Sequence, residues 1–488
     1  MSQFLALVPA GTQLYHGTYK PDLIQDMEWL AFEPEHASVF AHSRRPVNPP
    51  PDREDELVDD EGYELGQPQA RLCHGGVSTS HPSHNQEQPV GPQVPDQDSA
   101  TGYLHTYVPT HDLHLLYVDG LSAGKTSNGT LDAQDMLLLN MSSGHPHGPM
   151  GGEYERAKCM CDLASTLWDG KIDGILRMEG GFEIILCDFA KHLVRADVIA
   201  FTEHNGRENR SGMFGGWSYM KAITKRYDGI GGERVRLDYD DFVSVFAYPD
   251  LEGLFINDVQ SDYIMPRLQN VSAADLSLIR DDITSMILRK DWDNKTMGST
   301  NWQSVADMVV IRYSSPLHYL HTNKQIRAEK EPLEAYLAKL MLPFVDYTTR
   351  NAALELHRCV AQFIPPISPS AVIAHTTVHA IANHICQTLL TALSILSAPT
   401  PHTPSTTIHV SHTIELIDEL VEYLQWTTWK QCGTCPEEEI CYIPIWPVGS
   451  HEDHKSPWCR SENAARGRFG YWGLGLRLPL EYGDDGNE

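Results

Sequence analysis

The stretch DGILRMEGGFEIILCDF, residues 173–189, decides the fold class, because it reads as two strands folded about Gly180-Gly181. Ile172 to Met178 and Phe182 to Asp188 form the arms, and the paired glycines supply the turn of a hairpin. Alternation places Phe182, Ile184 and Leu186 on one face and Glu183 with Ile185 on the other. Both faces are partly apolar, so a carboxylate at 183 on a buried strand needs a partner or a polar cleft.

Working upstream, Glu153 to Leu167 has the apolar spacing of a helix. Tyr103 to Val108 and Leu113 to Val118 read as strands joined by a Pro-Thr-His-Asp turn. Leu14-Tyr15 begins a short strand and Glu28 to Phe32 forms another. Pro34 to Ala41 suits a helix with Glu33 and Glu35 at its electropositive start. From about Ser43 to Ala100 the chain runs through NPPPDREDELVDDEGYE and a Pro-, Gln-, Ser- and His-rich stretch without apolar periodicity. Such composition cannot bury enough surface to offset ordering entropy, so residues 45–100 are expected to be a disordered insertion.

Downstream, residues 201–271 form an aromatic and Gly-rich connection, and beyond it the period becomes helical. Ser272 with Asp275 starts a helix carrying Leu276, Ile279, Ile283, Met286 and Ile287 on one side. Further helices are expected at 332–342, 352–363, 372–396 and 413–429, the last two separated by Pro, Ser and Thr at 398–406. The fold class is therefore α+β. A mixed N-terminal domain (1–200) holds the insertion, a mainly helical region (272–430) follows, and a Cys-rich tail (431–488) ends the chain.

Apolar residues make up 41% of the 488 positions, enough to build cores. The net charge of −28 argues against a surface that neutralises phosphates, so nucleic acid is not an expected partner. The most apolar stretch, 371–396, carries His375, His379 and His384 and reads as a buried or amphipathic helix, not a membrane span. The opening MSQFLALVPAGTQLYHG has only a short apolar run without a basic flank, which reads as no signal peptide. Five glycosylation sequons, at Asn128, Asn140, Asn209, Asn270 and Asn294, and the clustering of Cys432, Cys435, Cys441 and Cys459 point instead to the secretory pathway.

Three short motifs are weighed first. GLSAGKT, 120–126, encloses three residues between its first Gly and the Gly-Lys pair where a P-loop needs four. His375 and His379 share a helix face but lack the Glu of a metalloprotease motif, and read as core or interface histidines. The four tail cysteines suit two disulfides or one structural zinc site; no residue is assigned to a catalytic metal. The acidic run Asp238 to Asp241 would suit a hydrolase no better than a solvated charge run.

LYHGT at 14–18, WLAFEPEHASVFA at 29–41, DLHLLYVDG at 112–120 and the 173–189 hairpin occur in an order that resembles the ADP-ribosyltransferase fold. The resemblance spans roughly residues 10–200. It implies a split sheet and NAD as substrate, with a strand His-Gly-Thr, His16, Gly17 and Thr18, beside the nicotinamide ribose. It implies an aromatic, Trp29, against the nicotinamide, and Glu183 stabilising the positive charge that develops on the ribose. Trp29 stands where that fold usually has Tyr, and Glu179 and Glu183 are four apart instead of forming Glu-x-Glu, which disfavours transfer to arginine. The chain also resembles a group of fungal proteins without assigned function, sharing WLAFEPEHA, SAGKT, RYDGIG and an IWP stretch. The expected activity is ADP-ribosyl transfer to a protein acceptor or NAD glycohydrolysis. The alternative is a non-catalytic secreted or surface protein that keeps the fold and binds a small ligand.

Overall fold

The computed structural model describes residues 1–41, 101–125, 129–141, 152–202, 216–224, 229–255, 266–293, 300–364, 372–398, 403–442, 453 and 456–462. The insertion expected to be disordered at 45–100 lies outside them. The chain opens with β1 (Ser2–Val8), β2 (Leu14–Thr18), β3 (Glu28–Ala31) and α1 (Pro34–Ser38). Then follow β4 (Thr101–Pro109), β5 (Leu113–Val118), α2 (Glu153–Ser165), β6 (Gly174–Met178), β7 (Phe182–Leu186), α3 (Phe189–His192), β8 (Leu193–Thr202), α4 (Gly216–Thr224) and β9 (Arg236–Ser244).

The strands form one nine-stranded sheet in the order β8-β4-β2-β3-β7-β6-β5-β1-β9. Every neighbouring pair is antiparallel except β5 and β6, whose parallel pairing requires a crossover, and α2 lies within it. The sheet is nearly divided between β2 and β3, which are linked at a single register pair, Tyr15 with Ala31. The expected hairpin is present, with Arg177 opposite Glu183 and Ile175 opposite Ile185.

Two layers of side chains flank the sheet. On one face Leu5, Leu116, Ile175 and Ile185 pack against Ala157, Met160 and Leu163 of α2. On the other, Leu14, Leu30, Ile184, Leu186 and Phe189 form a second cluster. Each fully buried aliphatic side chain contributes about 1.5–3 kcal/mol, so these clusters set the strand parity.

The helices that follow are α5 (Ala273–Arg289), α6 (Trp302–Thr322), α7 (Lys330–Met341), α8 (Ala352–Ala361), α9 (Val372–Ser397) and α10 (Thr403–Leu424). Ser272 caps α5 as expected, its hydroxyl accepting from the Asp275 N–H at 3.1 Å. The apolar side of α5, Leu276, Ile279, Ile283 and Met286, joins the α2 core. With β9 it extends the sheet unit beyond the boundary at residue 200 that composition suggests. A separate core is built from α6 to α10, including Tyr313, Leu337, Leu389 and Leu420. α9 is long and apolar enough to cross a membrane, yet Ile385, Cys386, Leu389, Leu393 and Leu396 are buried among its neighbours. The bundle meets the sheet where Trp302 and Ala374 pack against Tyr239 and Phe242.

α10 starts ten residues earlier than the sequence suggests, at Thr403 instead of 413. Pro404 lies in its first turn, where a missing N–H breaks no helical bond, so the Pro-Ser-Thr run begins the helix instead of separating it. The tail carries β10 (Glu439–Tyr442) and β11 (Trp458–Ser461), paired with Cys441 opposite Cys459. Of the two alternatives left open by the sequence, disulfides are present: Cys432–Cys441 and Cys435–Cys459. Two more link α2 to the end of β7, Cys161–Cys187, and α8 to α9, Cys359–Cys386.

Candidate functional site

The hairpin β6–β7 places Arg177 and Glu183 side by side on the face toward α2. Arg177 is 1% exposed, a costly place for a guanidinium unless every donor is satisfied. Its Nε donates to Glu183 Oε1 at 2.7 Å and its Nη1 to Gln134 Oε1 at 2.7 Å, while Nη2 donates to Glu153 in the first turn of α2. Arg156, equally buried, donates to Asp135 at 2.9 Å. Lys125 closes the other side, 2.6 Å from Glu179 and 3.8 Å from Glu153.

The charge states follow from these contacts. Burial pushes the Glu153 carboxyl upward, but Arg177, Lys125 and Arg156 outweigh it and hold the group at about 2. Burial alone would also weaken Lys125 as a cation, and Glu179 with Glu153 reverse that, raising its pKa above the ordinary value. The phenol of Tyr219 is driven well up by burial and by the nearby Glu179 and Glu183. His36 falls to about 4 because it is buried, with Glu179 opposing, so it is neutral at physiological pH. Its Nδ1 has no hydrogen-bond partner among the described residues.

Above this network lies a cavity of about 460 Å³, walled by α1, β2, β3, the hairpin and α4. Tyr15, Trp29, Phe40 and Tyr219 give it aromatic walls. Four carboxylates, Glu28, Glu153, Glu179 and Glu183, face it against two cations, Lys125 and Arg177. Glu28 is pushed upward by burial, the bond from the Trp29 backbone opposing. A small, partly enclosed site with aromatic walls and excess negative charge suits a flat organic cation.

Of the residues singled out from the sequence, His16, Gly17, Trp29 and Glu183 all line this cavity. Thr18 does not line it; its hydroxyl accepts from the Lys20 N–H at 3.4 Å in the turn after β2. Gly17 is needed for close approach, since a Cβ there would lie 1.9 Å from the Ala37 carbonyl of α1. Strand parity puts Tyr15 and Gly17 on the same face as Ala31, Trp29 and Glu183. The His16 ring therefore turns the other way, edge-on to Phe189 and His105. Its Nδ1 lies 2.7 Å from the Trp29 carbonyl, which accepts, so the ring bridges the gap where β2 and β3 part. Burial lowers its pKa, the bond to Trp29 opposing, and the neutral ring keeps Nε2 as an acceptor.

Several site residues carry no sequence signal of their own. Arg177 and Glu153 look like ordinary strand and helix positions, and only the pairing of Arg177 with Glu183 across a two-glycine turn hints at a buried ion pair. Lys125 sits in the GLSAGKT segment read as failing the P-loop spacing. The Ala123 and Gly124 N–H groups donate to the Met178 and Leu121 carbonyls at 2.9 and 3.0 Å, so they are not free to hold a phosphate. Asp238 and Asp241 tie β9 to α5 through Lys290 at 2.5 Å and Arg289 at 2.9 Å, a structural use of that acidic run. His375 stacks edge-on to Trp302 near the junction with the sheet.

Two relatives are the uncharacterized proteins YOR389W and YPL277C of Saccharomyces cerevisiae, 30% identical over 195 residues and 32% over 199. Each match covers 39% of this chain but only 28% and 36% of the relatives' own lengths, so the chain spans about a third of either. These proteins fit the expected kinship with fungal proteins of unassigned function. No solved structure matches the chain. Every cavity residue except Tyr219 falls within residues 1–209, and that part of the chain matches the family model described as the YPL277C N-terminal domain.

Proposed function

We propose that the cavity binds NAD and that the protein cleaves its nicotinamide–ribose bond, as a glycohydrolase or as an ADP-ribosyltransferase acting on a protein. The observation that carries this reading is the meeting of Gly17, Trp29 and Glu183, from three strands, at one aromatic, negatively charged cavity. The pyridinium of NAD is a flat cation, which the rings of Trp29 and Phe40 and the surplus of carboxylates favour. As the C1′–N bond breaks, its electron pair passes to the ring nitrogen and positive charge grows on the ribose. Glu183, anchored through Oε1 by Arg177, is placed to stabilise that charge before water or an acceptor attacks C1′. Loss of the ring charge also weakens its hold on the site, which favours release of nicotinamide.

A second reading is a ligand-binding protein without turnover. It is favoured by the orientation of the His16 ring away from the Glu183 face and by the neutralisation of Glu183 by Arg177. Release of nicotinamide from NAD, followed by chromatography in the wild type and in Glu183→Gln, separates the two. The transferase reading requires turnover that falls on the order of a hundredfold in a folded variant that still binds NAD. Binding without turnover in the wild type leaves the second reading, and equal turnover in both proteins removes Glu183 from the chemistry.

A further inference from the structure

At the end of the sheet remote from Glu183, three connections bring His111, Asp173 and His192 together. His111 lies in the β4–β5 turn, Asp173 just before β6, and His192 at the end of α3. His192 is 2% exposed, whereas His111 faces solvent. The ring nitrogens His111 Nε2 and His192 Nδ1 face each other at 2.9 Å.

The surrounding groups hold both rings from behind. The Thr110 hydroxyl lies 3.2 Å from the His192 carbonyl, which also accepts the Thr110 N–H at 3.0 Å, and 3.1 Å from His111 Nδ1. With Nδ1 beside Thr110, His111 turns Nε2 toward His192. On the other side, Asp173 Oδ1 stands 3.5 Å from His192 Nε2, and its second oxygen accepts the His114 N–H at 2.9 Å. A carboxylate beside Nε2 favours a proton there and leaves a lone pair on His192 Nδ1. The ring nitrogens of His111 and His192 and a carboxylate oxygen of Asp173, from three separate connections, lie within 4.8 Å of one another, a spacing that suits one cation. An acceptor behind each ring is also the arrangement that orients metal-bound histidines.

We infer that His111 Nε2 and His192 Nδ1 are ligands of one borderline divalent cation of the zinc class, with Asp173 orienting His192 from behind. At metal–nitrogen distances of about 2.0–2.1 Å, tetrahedral ligands lie about 3.3 Å apart, so the rings need to part by only a few tenths of an ångström. Water completes the coordination on the exposed side of His111. The ion pins the β4–β5 turn to the start of β8, an edge strand of the sheet. His114 is not a direct ligand, because its ring is stacked on Trp292 with centroids 4.0 Å apart.

The test is calorimetric titration of the metal-free full chain with zinc chloride at pH 7.5, with a cobalt(II) absorption spectrum to report ligand geometry. One equivalent with a dissociation constant in the micromolar range or tighter is expected. His111→Ala, an exposed change in a turn, should weaken it at least tenfold and leave the melting curve of the metal-free protein unchanged. The paired change His375→Ala with His379→Ala, which removes the helical histidine pair, should leave that equivalent in place. No zinc uptake, or uptake unaffected by His111→Ala, overturns the assignment. Uptake lost only in the helical pair relocates the site and overturns it equally. Should His111→Ala melt differently, His111→Gln, which keeps the bulk and removes the imidazole lone pair, gives the same discrimination.

Discussion

The two cores of this molecule are built on opposite principles. Beneath the cavity the sheet unit buries Arg177, Arg156, Glu183 and Asp135, each less than a tenth exposed, in one ionic network. The helical bundle encloses Tyr313, Leu337, Leu389 and Leu420, and its buried acid, Glu355, pairs with a partly exposed Arg350 at 2.7 Å. Replacing a buried ionic network with aliphatic side chains is often neutral or stabilising, so stability does not account for charges held beneath a cavity. Under the proposed function they meet the charge of a bound ligand. The bundle, by the same comparison, is packing.

The largest expected effect that sharpens this contrast comes from Arg177→Met. It strands Glu153, Glu183 and Gln134 without their donor and should cost about 3–5 kcal/mol in chemical denaturation. Making Glu183→Leu as well should recover part of that loss. In the bundle, Leu389→Ala should cost a comparable ~2–5 kcal/mol by leaving a cavity, with no charged partner able to rescue it.

Acid should separate the two cores next. His16, His36, His105, His114 and His192, all in the sheet unit, are each lowered first by burial. A histidine whose folded pKa is depressed binds its proton more readily when unfolded. Its contribution is therefore complete above about 6.5 and is lost as the pH falls toward the folded value. For His36, at about 4, the window runs from 6.5 to 4 and is worth on the order of 3 kcal/mol. Glu153, held at about 2, adds a second loss between 4.5 and 2. Hydrogen exchange at pH 7 and pH 5 should show protection falling in β6 and β7 while α9 holds. Equal loss in both regions would contradict the comparison.

A smaller effect is expected at Gly17. Alanine there meets the Ala37 carbonyl, so α1 must move outward, at a cost of about 1–3 kcal/mol. Because α1 forms one wall of the cavity, ligand affinity should fall more than stability does. Alanine at Gly11, whose added Cβ would meet nothing within 4 Å but whose φ of +84° is itself strained, separates backbone strain from loss of the wall.

The hairpin and Glu183 were legible because two glycines and strict alternation act locally, and the capped start of α5 was legible for the same reason. β1, β9 and the docking of α5 were not, since their pairing depends on partners far along the chain: Ser2 lies opposite Ser244. α6 carries Pro316 within its length, a residue usually read as a helix break, which hides it in the sequence. Arg177 could be read as a strand residue but not as a fully buried cation, because its burial rests on Glu153 and Gln134. Nor could the sequence reveal which way His16 points. β2 and β3 share one register pair, so the parity of one strand says little about the other.

The central claim, that the charged core serves a ligand in the cavity above it, is tested most directly by titrating NAD into the full-length protein and into Trp29→Ala while following thermal stability. The account predicts saturable stabilisation of the wild type, about 2.7 kcal/mol at a hundred times the dissociation constant, and a weakening of at least tenfold in the variant. Wild-type protein whose melting is unmoved by millimolar NAD, or a Trp29→Ala protein stabilised equally well, would contradict it.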